Sequence, residues 1–239
     1  MNTDDPSYVL RIDGKSGKTA WRVERPTTAV RESPDAYTTP MLAKSGKNLE
    51  LVISGGDYVT GHDLATGKEL WRGGGFNKDN HEFFRVIASP VVRDDLIYVP
   101  TRIKPLQVFR AGGRGDVTET HRVWKFDNGP DVPSPVVDGK YFYSINDRGI
   151  VWALDAKTGA ELYGGQRLKP GTYSGSPVLA DGRIYITNEE GLTSVLKAGP
   201  VFEILAENPL NDYCLSRRRS RMVRFSFELR DFSTVSENG

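Results

Sequence analysis

The sequence predicts an all-β protein, a β-propeller of four-stranded antiparallel blades, and three observations carry that prediction. Its apolar runs are short, rich in β-branched and aromatic residues, and bounded by Gly, Asp and Asn, as strands are. No window carries a helical period. A [Ser/Thr]-Pro start recurs at near-regular intervals, at Thr39-Pro40, Ser89-Pro90, Ser134-Pro135 and Ser176-Pro177. A turn motif, Asp-x-x-[Ser/Thr]-Gly-x-x-x-[Trp/Tyr], recurs from Asp13 to Trp21, Asp63 to Trp71 and Asp155 to Tyr163. Four short strands in each period of roughly 40–50 residues is the arithmetic of a propeller.

Each start leads into a first strand: Met41-Leu42, Val91-Val92, Val136-Val137 and Val178-Leu179. A polar turn follows, and then a second strand: Leu51-Val52-Ile53, Leu96 to Val99, Tyr141-Phe142-Tyr143 and Ile184-Tyr185-Ile186. The turn motif joins the third strand to the fourth. Its aspartate hydrogen-bonds amides two residues on and nucleates the turn. Gly17, Gly67 and Gly159 supply the positive φ that a turn with a bulge requires. The aromatic is thereby fixed on one side of the fourth strand, where it can pack against a neighbouring unit. Two copies depart from the pattern: Arg110 to Trp124 has an enlarged turn, and Lys197 to Ile204 keeps Gly199-Pro200 but lacks the Asp and the aromatic.

The form Asp-x-x-Thr-Gly-Lys-x-x-Trp, seen at residues 63–71, resembles the repeat of the PQQ-like β-propeller family in the quinoprotein alcohol dehydrogenase-like superfamily. The resemblance spans residues 8–214. It implies a propeller that closes with seven or eight blades, so that this chain corresponds to part of a longer parent. It also implies two functional classes, quinoprotein oxidoreductases and non-enzymatic relatives that include an outer-membrane assembly lipoprotein.

The blade count is uneven. Residues 8–23 supply only the third and fourth strands of a first blade. Four complete blades follow, starting near Tyr37, Ile87, Val132 and Ser174, and another start is due after Tyr213. Closure as five blades, with the last completing the first, is the alternative. The expected organisation is therefore a repeat array over 1–214 and an aberrant tail over 215–239. The tail holds six Arg against three acids, and the remainder has 26 basic and 28 acidic residues, net −2. It can be read as a plain basic tail or as a nucleic-acid arm. A frame-shifted final blade fits better. One nucleotide earlier, the codons force Gly at 223 and apolar residues at 225, 227 and 232. That places Gly and two apolar residues at one constant offset from Gly182, Ile184 and Ile186.

Composition narrows the partners. With 32 basic and 31 acidic residues the net charge is +1, so nothing favours nucleic acid. No run of eighteen apolar residues offers a membrane span. The polar, acidic N-terminus lacks the regions of a secretion signal, so an exported or periplasmic location is implied only by the resemblance. The single cysteine, Cys214, excludes an intrachain disulfide.

In a propeller, ligands meet the face made by the second-to-third-strand turns and the blade-to-blade linkers. The candidate ligand-binding residues there are Arg102, Asn146, Arg148, Asn188 and Glu189. Turn geometry alone also explains Asn, Asp and Gly at such tips. His62, His81 and His121 lack metal spacing. Gly14 to Thr19 imitates a phosphate loop without its first Gly, and Arg114-Gly115-Asp116 is explained as the tip of a long hairpin. Trp21, Trp71, Trp124 and Trp152 read as packing residues. No nucleophile–base spacing exists, so no catalytic or metal residue is assigned.

The sequence thus favours a non-catalytic scaffold that binds a protein or small ligand on its loop face, with no cofactor. The alternative implied by the resemblance is an alcohol dehydrogenase-like quinoprotein using PQQ with calcium. Glu189, Asn146 and Asn188 would supply the oxygen ligands, and the adjacent-cysteine disulfide common in such enzymes has no counterpart.

Overall fold

The computed structural model describes residues 7–102, 104–210 and 212–215, together with the backbone strands 219–221 and 224–226. No helix occurs among the described residues. The chain divides into two compact units, Met1–Asn128 and Gly129–Gly239.

The first unit opens with the half-blade expected from the sequence: β1 (Tyr8–Ile12) pairs antiparallel with β2 (Thr19–Glu24). Blade I follows as β3 (Met41–Ser45), β4 (Asn48–Gly55), β5 (Tyr58–Asp63) and β6 (Glu69–Gly73). Blade II contains β7 (Val91–Arg93), β8 (Leu96–Val99), β9 (Leu106–Arg110) and β11 (Arg122–Phe126). The enlarged turn between β9 and β11 carries a further strand, β10 (Gly115–Asp116), which runs parallel to the outer edge of β6. Blade I is therefore five-stranded. The Arg114-Gly115-Asp116 tripeptide is a sheet edge rather than a hairpin tip, because β6 offers unpaired backbone groups.

The second unit holds blade III, made of β12 (Val136–Val137), β13 (Tyr141–Ile145), β14 (Ile150–Asp155) and β15 (Glu161–Arg167). Blade IV is β16 (Val178–Ala180), β17 (Arg183–Thr187), β18 (Leu192–Lys197) and β19 (Ile204–Pro209). A two-stranded hairpin, β20 (Arg219–Arg221) with β21 (Arg224–Ser226), comes last.

Apolar residues pack between blades. In the first unit the core includes Val52, Trp71, Phe84, Ile97 and Phe109; in the second it includes Tyr143, Ile145, Val151, Tyr173, Ile184 and Leu196. The repeated turns are built alike. Asp13 Oδ1 accepts hydrogen bonds from the Ser16 N–H and hydroxyl at 2.8 and 2.7 Å. Asp63 does the same with Thr66, and Asp155 with Thr158. Gly17, Gly67 and Gly159 have φ of 68°, 76° and 73°. Two of the three motif aromatics reach the next blade's turn. Trp21 donates to the Leu64 carbonyl at 3.3 Å, and the ring of Tyr163 meets Phe202 edge-on at 5.6 Å. Phe202 thus supplies this contact from the blade IV turn, which keeps Gly199 but lacks the motif's aspartate.

Candidate functional site

The blade ends opposite those turns carry the second-to-third-strand loops and the linkers. In the second unit, two loops of related sequence lie there: Asn146-Asp147-Arg148-Gly149 and Asn188-Glu189-Glu190-Gly191. Asn146 Oδ1 accepts hydrogen bonds from the Arg148 and Ile150 amides, both at 3.0 Å. Asn188, 2% exposed, accepts one from the Leu192 amide at 2.8 Å. Each asparagine therefore closes its own loop, as a short amide side chain does in such turns.

The acidic residue after each asparagine faces the linkers. Asp147 Oδ1 accepts from the Val132 amide at 3.0 Å, and its carbonyl accepts from Tyr173. Glu189 accepts from the Ser174 hydroxyl at 2.5 Å and the Tyr213 hydroxyl at 2.9 Å. Its amide donates to Thr172, and its carbonyl accepts from Cys214. The linker through Thr172 and Tyr173 thereby bridges the two loops. Tyr173 is fully buried over Gly149, and burial pushes its hydroxyl up to about 12. These contacts bring Asn146, Arg148, Asn188 and Glu189 to one end of the second unit. Arg148 is exposed. Arg102, also exposed, lies in the β8–β9 loop of the first unit.

The first unit organises its loop end differently. Arg25, 5% exposed, leaves the half-blade and enters blade I. Its guanidinium donates to the carbonyls of Gly55 and Tyr58 at 2.9 and 3.0 Å and to the Thr60 hydroxyl at 2.9 Å. Burial pushes its pKa down to about 10, leaving it cationic at neutral pH. Thr60 also lies 2.9 Å from His62 Nε2, while His62 Nδ1 lies 2.9 Å from the Gly67 carbonyl. The carbonyl can only accept, so Nδ1 carries the proton. Burial lowers the His62 pKa and keeps the ring neutral.

Two long linkers then pair with each other. The Tyr37 amide donates to the Val86 carbonyl at 2.8 Å, and the Val86 amide to the Asp35 carbonyl at 3.3 Å. Ser33 accepts from the Phe84 amide, and Glu32 lies 3.1 Å from Arg85. Asp57, pushed up by burial, accepts from Asn77 at 3.1 Å. Arg25, Ser33 and Asp57 were not singled out by sequence reasoning. Their partners lie far along the chain, in other strands and linkers, and the only local signal is a charged residue directly after an apolar strand.

The candidate oxygens fit a calcium–quinone site poorly. Those of Asn146, Asn188 and Glu189 are already bound to the chain's own N–H and O–H groups. Among the described residues no group of three or more His, Cys, Asp or Glu side chains could hold a metal ion. The lone Cys214 is buried.

The model of the family described as outer membrane protein assembly factor BamB, a PQQ-like repeat family, matches residues 1–164. The chain belongs to this PQQ-like β-propeller family. Its fold is similar to that of BamB from Moraxella catarrhalis, with a TM-score of 0.67 and 17% identity over 94% of this chain and 64% of that one. It is also similar to quinohemoprotein alcohol dehydrogenase from Comamonas testosteroni, with a TM-score of 0.59 and 16% identity over 85% of this chain and 40% of that one. The chain therefore spans less than two thirds of either structure. No curated protein matches it by sequence.

Proposed function

We propose that the chain is a non-catalytic PQQ-like propeller scaffold that binds a protein partner at the loop end of its blades. One observation carries this reading: the oxygens best suited to a metal or quinone, on Asn146, Asn188 and Glu189, are consumed in closing loops and fastening linkers. Arg148 is exposed at that end of the second unit, which suits an extended polar partner better than a caged cofactor. The family description, an outer membrane protein assembly factor, supports a protein partner in outer-membrane assembly and an exported setting.

The test is binding of a urea-denatured outer-membrane β-barrel protein, diluted into buffer, to the immobilised chain. Saturable binding that Arg148→Glu weakens at least about tenfold, or 1.4 kcal/mol, supports the reading. Equal binding by the Arg148→Glu variant overturns it. The second reading, a PQQ-dependent oxidoreductase, draws on the similarity to the quinohemoprotein enzyme. Titration with PQQ and calcium, read by quinone absorbance and dye-linked alcohol oxidation, separates the two. Tight quinone binding with turnover would replace the scaffold reading.

A further inference from the structure

Asn128 and Gly129 follow the outer strand of blade II, in a stretch without strands between the end of β11 at Phe126 and the start of β12 at Val136. Both residues are half-buried, so solvent reaches them. Among the described asparagines, Asn128 alone precedes a glycine. That order matters chemically. The backbone nitrogen after an asparagine can add to the side-chain Cγ, and a Cβ on the following residue hinders the approach. Glycine has no Cβ and leaves the backbone free to turn.

The side chain is also activated. Lys104, in the β8–β9 loop, donates from Nζ to Asn128 Oδ1 at 3.3 Å. Lys104 and Asn128 both belong to the first unit. An ammonium on that oxygen draws electrons from Cγ. It also stabilises the negative charge that builds on Oδ1 when a nucleophile adds, as an oxyanion hole does. Other loop asparagines are arranged against this reaction. Asn146 Oδ1 and Asn188 Oδ1 accept from backbone amides, and Asp147 and Glu189 follow them, each with a Cβ in the way. Asn77 Oδ1 accepts from the His81 amide at 2.7 Å, its nitrogen donates to Asp57 and His81, and Lys78 follows it.

We propose that Asn128 is a self-modifying site that deamidates in the folded chain, with Lys104 as the activating residue. Solvent hydroxide takes the Gly129 amide proton, and the nitrogen bonds to Cγ. Lys104 holds the oxyanion that results. Its collapse breaks the Cγ–Nδ2 bond, and that nitrogen takes a proton from water and leaves as ammonia, regenerating hydroxide. The succinimide ring that remains adds water at one of its two carbonyls and opens to aspartate or isoaspartate. The net change is water in and ammonia out, with nothing oxidised or reduced. Either product sets a carboxylate beside Lys104. Isoaspartate also routes the main chain through the former side chain, which lengthens the backbone between β11 and β12 by one methylene.

The full chain, kept at neutral pH and followed by peptide mass spectrometry, should gain one mass unit at Asn128, with aspartate and isoaspartate separated by chromatography. Folding ordinarily restricts such a ring closure. Here conversion should be faster in the folded chain than in the same chain unfolded in guanidinium chloride, where Lys104 no longer meets Asn128. Lys104→Met should slow the folded chain about threefold to tenfold and leave the unfolded rate unchanged, while Lys104→Arg restores the folded rate. Gly129→Ala should slow both rates about tenfold or more. Equal folded rates for the parent and Lys104→Met, a folded rate below the unfolded one, or no mass gain at Asn128 would overturn the proposal.

Discussion

The two ends of a blade solve the same hydrogen-bonding problem in opposite ways. At the turn end, Asp13, Asp63 and Asp155 bond amides two and three residues on, so each aspartate's bonds stay within its own turn. At the loop end Asn146 and Asn188 also close their own loops, but other polar groups are shared with neighbours. Arg25 reaches Gly55 and Thr60, Ser33 reaches Phe84, and Glu189 gathers Thr172, Ser174, Tyr213 and Cys214. The difference teaches where cooperativity resides. A damaged turn costs its own bonds, whereas a damaged linker contact releases two elements together.

The largest expected effect breaks the shared end. Arg25→Met removes a buried cation and strands the carbonyls of Gly55 and Tyr58 without their donor. It should destabilise the first unit by about 3 kcal/mol. Urea unfolding would measure it, and a loss below about 1 kcal/mol would mean the linker is not tied as the geometry implies.

A glycine pair sharpens the comparison at the turn end. Gly67 has φ of 76°, and an added Cβ would lie 2.5 Å from the Trp21 ring, whereas Gly17, with φ of 68°, has nothing within 4 Å. Gly67→Ala should therefore cost about 2–3 kcal/mol and Gly17→Ala about 1, the difference being the neighbour's ring rather than the backbone. Equal losses would show that the aromatic does not press on the next blade.

The smallest effect belongs to a self-contained turn. Asp155→Asn should cost about 1 kcal/mol or less at pH 7, because its bonds are near the surface. Its carboxyl is held below the usual carboxylate range chiefly by the Thr158 amide, and those of Asp13 and Asp63 chiefly by the Ser16 and Thr66 hydroxyls. A depressed folded pKa means the unfolded chain binds protons first. This stability is thus present above the unfolded pKa, near 4, and is lost as pH falls through the folded value. Thermal melts from pH 6 to 3 should be less steep for Asp155→Asn than for the parent. Identical slopes would exclude the turn as a contributor.

The same contrast explains what could be read in advance. The blades, their starts, the half-blade and the aspartate turns were legible, because each rests on residues within one period. The Ser-Pro starts were visible as punctuation, but their role was not. Ser89 and Ser176 accept hydrogen bonds from the amides of Thr39 and Ser134, one blade earlier. At the loop face, Asn146 and Asn188 were chosen as ligand candidates for the amide groups that instead close their loops. β10 has no signal in the sequence because two residues carry no periodicity, and its seat on β6 depends on the outer strand of the preceding blade.

β10 also changes how the first unit can come apart. Repeat arrays tend to behave as linear chains in which each unit feels its neighbours across one interface. Here a piece of blade II is woven into the rim of blade I, with the Val117 amide donating to the Arg72 carbonyl at 2.8 Å. The buried Glu50 carboxylate accepts from the Gly112 amide at 3.1 Å and from the Trp71 indole at 2.7 Å. Blade II cannot peel away without stripping the outermost strand from blade I. In the vocabulary of repeat-protein thermodynamics, this weave strengthens the coupling between two lattice sites, and the first two full blades are expected to melt together.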